Sequence, residues 1–455
     1  MILSQSTPPL STQKARVSPP WLTRSVMYQI YLRSFTPEGT LAAATARLDR
    51  VAELRVDVIY LCPVFLQDED MREEFWSTRQ KLSGLKNPRN PYRIKDFYAI
   101  DPEYGTASDL HQFVDRVHEL GMRILFDLVY FHCGPTAPLI QQHPDYVKRD
   151  EKGQVLKGEY NFPVMNFENA ALRAYFFRNM LHWVEDFRVD GFRCDVAADI
   201  PLDFWEEARR RLEGLNPEIV MLSEAEKEED QLFAFDLNYN FTLTRKIMPG
   251  VMGQDLPASD IRKTWEEMKA VRPLGSRFLT HTENHDIAND TRQNRHDANW
   301  GLAGASAALV LMFTLDGMPM LYNGQEVADT APHSLYGNFA IDWNNAETTG
   351  GQQRWDLCQK LCELRHCDDA LGAGDLLWLD NSAPEQLLSF LRTTSTSQTV
   401  VLINISDRKC RAEIEFPESG PESFRTLLCK GILNPDTAGE MHCAPFGYWV
   451  AEISG

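Results

Sequence analysis

The chain has 455 residues, of which 43% are hydrophobic and 24% are charged, and its formal net charge is −19. This composition excludes disordered, collagen-like and coiled-coil proteins, and the length predicts two to four domains, since single cores stop growing at about 250–300 residues. So acidic a surface repels phosphate backbones and anionic lipids, so we expect neither nucleic acid nor a membrane as partner. A neutral small molecule or polymer fits the charge better.

We expect neither a targeting segment nor a membrane-spanning segment from the sequence. Its first 21 residues contain Pro8, Pro9, Pro19 and Pro20 and lack an apolar run of the length that a signal peptide requires. No later stretch reaches about 18 consecutive apolar residues. Nine cysteines, most of them within apolar runs such as that around Cys62, are typical of buried thiols in a reducing compartment. The sequence therefore predicts a cytoplasmic protein.

Short apolar runs alternate with amphipathic helical stretches over most of the chain. Eight runs have a strand-like pattern, and they begin at Val26, Val56, Met122, Gly191, Ile219, Phe233, Arg277 and Met318. Apolar strands separated by helices favour an α/β fold with a parallel sheet, and eight repeats favour a closed (β/α)8 barrel. The alternative, an open doubly wound sheet, requires a glycine-rich phosphate turn after its first strand, and none follows Leu32.

Two segments depart from this alternation and suggest the domain organisation. An irregular insert, rich in glycine and proline, occupies residues 133–170 after the third strand. From residue 372 onwards the pattern changes to short runs of period two, which indicates antiparallel strands. We therefore expect a barrel over residues 1–132 and 171–371, interrupted by the insert, and a C-terminal β-sandwich over residues 372–455.

Three carboxylates stand at the ends of predicted barrel strands. Asp195 follows the fourth strand, Glu224 ends the fifth and Asp286 follows the seventh. Because the carboxyl ends of all barrel strands meet on one rim, we expect these side chains to share one site. Cleavage of a glycosidic bond with retention needs a carboxylate nucleophile on one face of the sugar and a protonated carboxylic acid at the leaving oxygen. The three residues can supply this pair and one further carboxylate.

Neighbouring residues fit the needs of such a pair. Arg193 lies two residues before Asp195, on the same face of a strand, where a guanidinium favours the ionised form of a nucleophile. Glu224 ends an apolar run, and an apolar setting or a nearby negative charge helps an acid to hold its proton. Each residue taken alone has an ordinary structural explanation as a turn residue, a helix cap or an ion-pair partner. Only their occurrence together, at the ends of neighbouring strands, indicates a site.

Three further residues are candidates for binding a sugar. His132 and His285 can donate or accept hydrogen bonds with hydroxyl groups, and Tyr92 can stack on a pyranose ring. A lone histidine or tyrosine at such positions is more often a core or loop residue. Here His132 follows the third strand, His285 follows the seventh and Tyr92 lies in the loop after the second, on the same rim as the carboxylates, which favours a role in the site.

These motifs resemble the signature regions of the alpha-amylase family of glycoside hydrolases. The four similar segments are DLVYFH (127–132), GFRCDVA (191–197), LSEAE (222–226) and ENHD (283–286), and others in the same order extend the resemblance over residues 26–345. The resemblance implies a retaining enzyme that cleaves alpha-1,4-glucosidic bonds of glucan oligosaccharides through a covalent glycosyl-enzyme intermediate. It implies roles for the following residues: Asp195 as nucleophile, Glu224 as general acid/base, Asp286 as the third carboxylate, and Tyr92, His132, Arg193 and His285 as substrate-binding groups.

The sequence departs from the family pattern at three places. Phe131 stands where the first region usually has Asn, and Ala197-Ala198 replace the Lys-His pair that often follows the second region. Those positions commonly supply or surround a structural calcium, and Phe cannot ligate a hard cation, so we expect no calcium, no other metal and no cofactor. Arg89 stands where exo-acting alpha-glucosidases of the family often have Asp, which weakens a strict glucosidase interpretation.

Two alternatives remain beside hydrolysis. A transglycosylase would pass the glucosyl unit from the same intermediate to an acceptor sugar instead of water. A non-catalytic barrel would only bind sugar, but non-enzymatic relatives lose members of the carboxylate triad, whereas this chain keeps all three. The sequence carries no signal for the oligomeric state.

Overall fold

The computed structural model describes residues 8–287, 295–417, 423–433 and 440–454. Eight of its strands form one sheet: β1 (Met27–Ile30), β2 (Val58–Leu61), β3 (Arg123–Leu128), β4 (Gly191–Cys194), β5 (Val220–Ser223), β6 (Leu237–Asn238), β7 (Leu279–Thr280) and β8 (Met318–Tyr322). Their order in the sheet is β6-β5-β4-β3-β2-β1-β8-β7, and all neighbouring pairs are parallel. The predicted (β/α)8 fold is confirmed.

The outer strands β6 and β7 meet at a single bridge, between Asn238 and Phe278. The side chain of Gln231 lies beside this bridge. Its Oε1 accepts a hydrogen bond from the backbone N–H of Arg277 at 2.9 Å, and its Nε2 donates to the carbonyl of Arg277 at 2.9 Å. A side-chain amide therefore completes the contact that closes the barrel.

Helices cover the barrel and connect its strands. They are α1 (Leu32–Phe35), α2 (Leu41–Thr45), α3 (Leu48–Ala52), α4 (Thr78–Leu82), α5 (Ala107–Glu119), α6 (Pro138–Gln142), α7 (Ala170–Phe187), α8 (Leu202–Leu215), α9 (Met248–Met252), α10 (Ser259–Ala270), α11 (His296–Thr314), α12 (Thr349–Cys367) and α13 (Asp369–Ala373). No helix in the described ranges is long and apolar enough to cross a membrane.

Helix α5 illustrates how the local sequence produces these elements. Its Thr106 side chain accepts a hydrogen bond from the backbone of Asp109, whose carboxylate accepts one from the backbone of Thr106, so the first turn has a capping box. The residues that it buries recur at helical spacing: Leu110, Phe113, Val114 and Val117. This apolar face packs the helix into the large hydrophobic core of the barrel.

Strand β4 carries the central part of the predicted site, and its first residue is a glycine because there is no room for a side chain. A Cβ atom at Gly191 would lie 2.2 Å from the carbonyl oxygen of Val220 on β5, so any larger residue would push the two strands apart. β4 pairs with β3 and β5 on either side, which places Asp127 opposite Arg193.

Two predicted boundaries differ from the structure. The sixth strand begins at Leu237 rather than at Phe233, whose side chain is 64% exposed. Asp230 accepts hydrogen bonds from Ser223 and Asn238, and these two bonds hold the residues between β5 and β6 in turns. The tyrosine-rich loop expected after the second strand contains a strand, Ile94–Ile100, which pairs antiparallel with Phe65–Gln67. Residues 68–93 therefore form a long excursion between two paired strands.

The insert at residues 133–170 contains α6 and several isolated antiparallel bridges. One of them joins His132 to Val164, so the insert folds back over the end of β3. Its C-terminal limit is the start of α7, where Asn169 caps the helix by accepting hydrogen bonds from two backbone N–H groups.

The chain continues after α13 into antiparallel strands. They are β9 (Asp375–Trp378), β10 (Leu387–Thr393), β11 (Gln398–Asn404), β12 (Cys410–Ala412), β13 (Ser423–Leu433) and β14 (Met441–Ser454), with a second two-stranded sheet formed by Asp380–Asn381 and Ile414–Glu415. The order in the larger sheet is β9-β10-β11-β14-β12, and β13 also pairs with β14. Residues of these strands enclose a separate apolar core. The predicted C-terminal antiparallel sheet is confirmed.

Candidate active site

A cavity of about 600 Å³ lies at the carboxyl ends of the barrel strands. Six of the predicted site residues line it: Tyr92, His132, Asp195, Glu224, His285 and Asp286. The seventh, Arg193, is fully buried directly beneath them. Residues that the motifs place far apart in sequence therefore meet in one small volume.

Arg193 binds three carboxylates at the centre of the site. Its Nη1 donates to Asp127 Oδ1 at 2.7 Å and to Asp195 Oδ1 at 2.8 Å, and its Nη2 lies 2.5 Å from Glu224 Oε1. Because one planar guanidinium contacts both Asp195 and Glu224, these two carboxyl groups face the same cavity. The remaining oxygen of Asp195, Oδ2, is buried and accepts no hydrogen bond from the described residues.

In a buried site, ionising all three carboxylates around one guanidinium has a large cost in electrostatic free energy. Burial raises the pKa of Asp195, the contact with Arg193 opposes this, and the negative charges of Glu224 and Asp127 raise it further. Burial also raises the pKa of Glu224, again opposed by Arg193. Arg193 thus favours the ionised form of Asp195, as expected from the sequence, but burial and the neighbouring carboxylates outweigh it and the pKa of Asp195 is raised. The pair instead favours holding a proton, as general acid catalysis requires.

Glu224 is oriented by a strained backbone position. Val196 has φ 47° and ψ 39°, a left-handed conformation that is rare for a β-branched residue. Its backbone N–H donates to Glu224 Oε2 at 2.9 Å. Such conformations cost about 1–3 kcal/mol and persist where the surrounding structure enforces them, often at functional sites.

A directed chain of hydrogen bonds fixes His285 and Tyr92. Gln29 Nε2 donates to His285 Nδ1 at 2.8 Å, so the ring proton sits on Nε2, which contacts the Tyr92 hydroxyl at 2.6 Å. That hydroxyl donates to Asp127 Oδ2 at 2.9 Å. Burial lowers the pKa of His285 to about 3, so it is neutral. The Tyr92 and His285 rings stack at 5.3 Å, so one face of the expected sugar platform is already covered.

His132 offers a hydrogen-bond acceptor to the cavity. Its Nε2 donates to the carbonyl of Tyr92 at 2.8 Å, and burial lowers its pKa to about 4, so the ring is neutral. Nδ1 is therefore unprotonated, and it is buried without a hydrogen-bond partner among the described residues. The rings of Tyr160 and Phe162, from the insert, pack against it at 5.6 and 4.9 Å. A sugar hydroxyl would satisfy this nitrogen.

Asp286 differs electrostatically from the other two carboxylates. Arg79 Nη1 donates to its Oδ1 at 2.7 Å, and Arg245 Nη2 donates to its Oδ2 at 3.3 Å. Burial alone would raise the pKa of Asp286, but the guanidiniums of Arg79 and Arg245 oppose this, and the pKa lies well below its usual value. Asp286 is therefore an ionised acceptor, whereas Asp195 and Glu224 compete for a proton.

Sequence analysis did not find Arg79 or Arg245. Neither belongs to a motif, and each lies on a segment that was expected only to connect elements: Arg79 on α4, and Arg245 on the helical turn Thr242–Ile247. By contrast Arg89, which departs from the pattern of the family's glucosidases, pairs with Glu69 and Asp101 and does not line the cavity.

A protein cation lies at Ala198, one of the positions where the sequence departs from the calcium-associated pattern of the family. Phe131 packs against the core, and the Lys227 ammonium donates to the carbonyl of Ala198. Within the described ranges, no group of three or more His, Cys, Asp or Glu side chains is arranged to hold a metal ion.

A (β/α)8 barrel with a carboxylate-lined cavity at the carboxyl ends of its strands is an arrangement that suits glycoside hydrolysis. The family model described as "Alpha amylase, catalytic domain" matches residues 29–159 and 155–369 of the chain. The chain belongs to the alpha-amylase family, which confirms the resemblance found in its motifs.

Comparison with known proteins identifies distant relatives. "Alpha-amylase MalA" of Haloarcula japonica is 28% identical over 413 residues, which cover 85% of this chain and 56% of that protein. A cyclomaltodextrinase from a Bacillus species is 24% identical over 440 residues, covering 85% of this chain and 73% of that protein. The chain thus spans little more than half the length of the first of these relatives.

Solved structures support the fold. An alpha-amylase from Lactobacillus plantarum superimposes with a TM-score of 0.79 at 24% identity, covering 95% of this chain and 99% of that one. The maltogenic alpha-amylase AmyB from Thermotoga neapolitana gives 0.78 at 24% identity, covering 95% and 96%.

Proposed function

We propose that the protein hydrolyses alpha-1,4-glucosidic bonds of glucan oligosaccharides with retention of anomeric configuration. The observation that carries the proposal is the binding of Asp195 and Glu224 to one buried guanidinium, at the floor of one cavity. The substrate class is supported by family membership and by relatives that are named alpha-amylase and cyclomaltodextrinase.

In the first proposed step, Asp195 Oδ2 attacks the anomeric carbon while Glu224 gives its proton to the leaving oxygen. The negative charge of Asp195 is consumed by the new covalent bond as Glu224 becomes negative. The total charge around Arg193 is therefore unchanged, and little electrostatic work is done against the buried guanidinium. In the second step Glu224 takes a proton from water, which displaces Asp195 from the sugar.

The other residues would hold the sugar in this geometry. Asp286, which is ionised and bound by two arginines, would accept hydrogen bonds from sugar hydroxyls. His132 Nδ1 would accept one more, and the exposed side of Tyr92 would contact the ring. These contacts place the anomeric carbon between Asp195 and Glu224, which is the positional part of the rate enhancement.

Proton NMR during hydrolysis of maltoheptaose tests this function. We expect the α-anomer of the newly formed reducing end to appear first and then to mutarotate. Initial β-anomer would contradict retention, and absence of any hydrolysis would contradict the substrate class. Added glucose that enters longer products would show that the intermediate transfers to sugars, as the transglycosylase alternative requires.

We also propose that the enzyme needs no structural calcium. Phe131 offers no oxygen ligand, and Lys227 already places a positive charge at the Ala198 carbonyl. Dialysis against EDTA should leave both the hydrolysis rate and the Tm unchanged. A loss of activity that added calcium restores would contradict this expectation.

A cytoplasmic location is proposed on two grounds. All nine cysteines are free and seven of them are buried, which suits a reducing compartment. One relative, 23% identical, is named intracellular maltogenic amylase. Recovery of the protein outside the cells in fractionation of its native host would contradict the proposal.

A further inference from the structure

We propose that the active site is a pocket closed beyond the sugar whose bond is cleaved, so that the enzyme attacks glucans only from the non-reducing end. Arg79 is the residue that sets this specificity. The inference rests on the proposed glucan hydrolysis and adds the mode of attack.

The bridge Arg79–Asp286–Arg245 joins opposite sides of the barrel mouth. Arg79 lies on the excursion 68–93, which follows β2, and Arg245 lies on the segment after β6. In the closed sheet these two strands are four positions apart, which is half of the barrel. Asp286, after β7, connects them through one oxygen to each arginine. The three side chains therefore link the segments that follow β2, β6 and β7 across the mouth of the barrel.

A second set of contacts closes the same side. Ser77, the N-cap of α4, lies 3.1 Å from the hydroxyl of Tyr336 through its Oγ, and Asn87 donates to the Tyr336 carbonyl at 2.9 Å. Ser77 and Tyr336 are both buried. The excursion 68–93 and the loop after β8 are thus packed into one continuous wall of the cavity, lined by Ser77, Thr78, Arg79, Leu82, Leu335 and Tyr336.

The wall adjoins Asp286, on the part of the cavity that would hold the sugar whose anomeric carbon is attacked. Glu224 must face the leaving oxygen, so the leaving part of the substrate extends past Glu224 and its neighbour Val196. Asp286, His285 and Tyr92 surround the other sugar, and Arg79 contacts Asp286 directly. The C4 hydroxyl of that sugar is at the opposite end of the ring from its anomeric carbon. A chain continuing from C4 would meet the wall.

The hydrogen bonds of Arg79 oppose its displacement by a glucan chain. Besides the carboxylate of Asp286 it donates to the backbone carbonyls of Asp286 at 3.0 Å and His285 at 3.4 Å. Its side chain is 21% exposed and that of Asp286 is 26% exposed. Separating the two members of this partly buried ion pair would leave each charge without its partner. The arrangement in which Arg79 contacts Asp286 is therefore favoured.

End-blocked substrates test the inference. The probe pair is p-nitrophenyl α-maltoheptaoside and the same compound with an ethylidene group on its terminal C4 and C6 oxygens, with products separated by chromatography. We expect the unmodified enzyme to cleave the free substrate and to cleave the blocked one at least about 100-fold more slowly. Arg79→Met should raise the ratio of blocked to free cleavage at least about tenfold, because it removes the bridge.

The ratio separates specificity from general damage, which lowers both rates together. Arg72→Met is the matched control, since Arg72 lies on the same excursion, is largely exposed and does not line the cavity. It should leave the ratio unchanged. If Arg79→Met fails to fold, Ser77→Ala, which removes one tie of the wall, should raise the ratio in the same direction.

The outcomes are distinguishable. Equal cleavage of both substrates by the unmodified enzyme overturns the closed pocket and leaves the proposed hydrolysis intact. A ratio that does not change in Arg79→Met overturns the role of Arg79. No cleavage of either substrate refutes the proposed function, and the inference falls with it.

Discussion

Replacing Asp195 by Asn, or Glu224 by Gln, is expected to lower kcat on maltoheptaose by at least about 10³-fold. Asn cannot form the covalent bond to the sugar, and Gln cannot donate a proton to the leaving oxygen, although both fit the volume of the original side chain. Positioned acids and bases each contribute about 10²–10⁴-fold. Both variants keep an oxygen that can bind Arg193, so each should remain folded.

Steady-state kinetics together with far-UV circular dichroism would measure this. Asp203→Asn is the matched control, because Asp203 is an exposed carboxylate on α8 that pairs with Arg173 outside the cavity. It should hydrolyse maltoheptaose at the unmodified rate. A wild-type rate in Asp195→Asn or Glu224→Gln would refute the assigned roles.

Arg193→Met is expected to lower kcat by at least about 10³-fold and to lower the free energy of unfolding by about 3–5 kcal/mol, the usual cost of removing one partner from a buried ionic cluster. Arg193 is fully buried and contacts Asp127, Asp195 and Glu224. Without it, the carboxylates lose the contact that lowers their pKa values. Burial and the repulsion between the carboxylates then raise these pKa values without opposition.

The sign of the pH dependence follows from these raised pKa values. A carboxyl whose pKa is higher in the folded than in the unfolded protein binds more protons when folded, so its stabilising contribution is present at low pH and is lost as the pH rises through the folded value. The stability loss in Arg193→Met should therefore be larger at pH 8 than at pH 5. The acid limb of the residual activity should move to higher pH, because an ionised Asp195 becomes harder to form.

Urea unfolding at both pH values and a pH–rate profile would measure these effects. Arg193→Lys restores a positive charge but not the planar fork, so it should recover more stability than activity. Arg210→Met, on the exposed face of α8, is the surface control and should change neither quantity. Equal stability loss at pH 5 and pH 8 would contradict the electrostatic explanation.

The barrel and the meeting of Asp195 and Glu224 at one cavity were predictable because the relevant signals are local. Each strand is a short apolar run, and Asp195 and Glu224 stand directly after such runs. Parallel topology then brings their ends together. The start of β6 was misplaced, since the competing signal, a turn held by Asp230 contacts to Ser223 and Asn238, depends on residues from two different strands.

The electrostatics of the site could not be predicted in the same way. Arg79 and Asp286 are 207 residues apart in the sequence, so no local pattern joins them. The raised pKa of Asp195 depends on how deeply the cluster is buried and on how many carboxylates share Arg193. Both are properties of the assembled barrel, and the spacing of Arg193 and Asp195 indicated only that the two would touch.

The contact of Gln231 with the backbone of Arg277 has a structural consequence. Elsewhere in the barrel, neighbouring strands pair over two or more residues, but between β6 and β7 a single peptide hydrogen bond, from Asn238 to the carbonyl of Arg277, is supplemented by the two side-chain bonds of Gln231. The closure of the barrel therefore rests partly on one side chain, which a substitution of Gln231 would remove without altering the main chain. Arg245 and Asp286 follow β6 and β7, so the alignment of these two cavity residues depends in part on Gln231, a neutral residue outside the cavity.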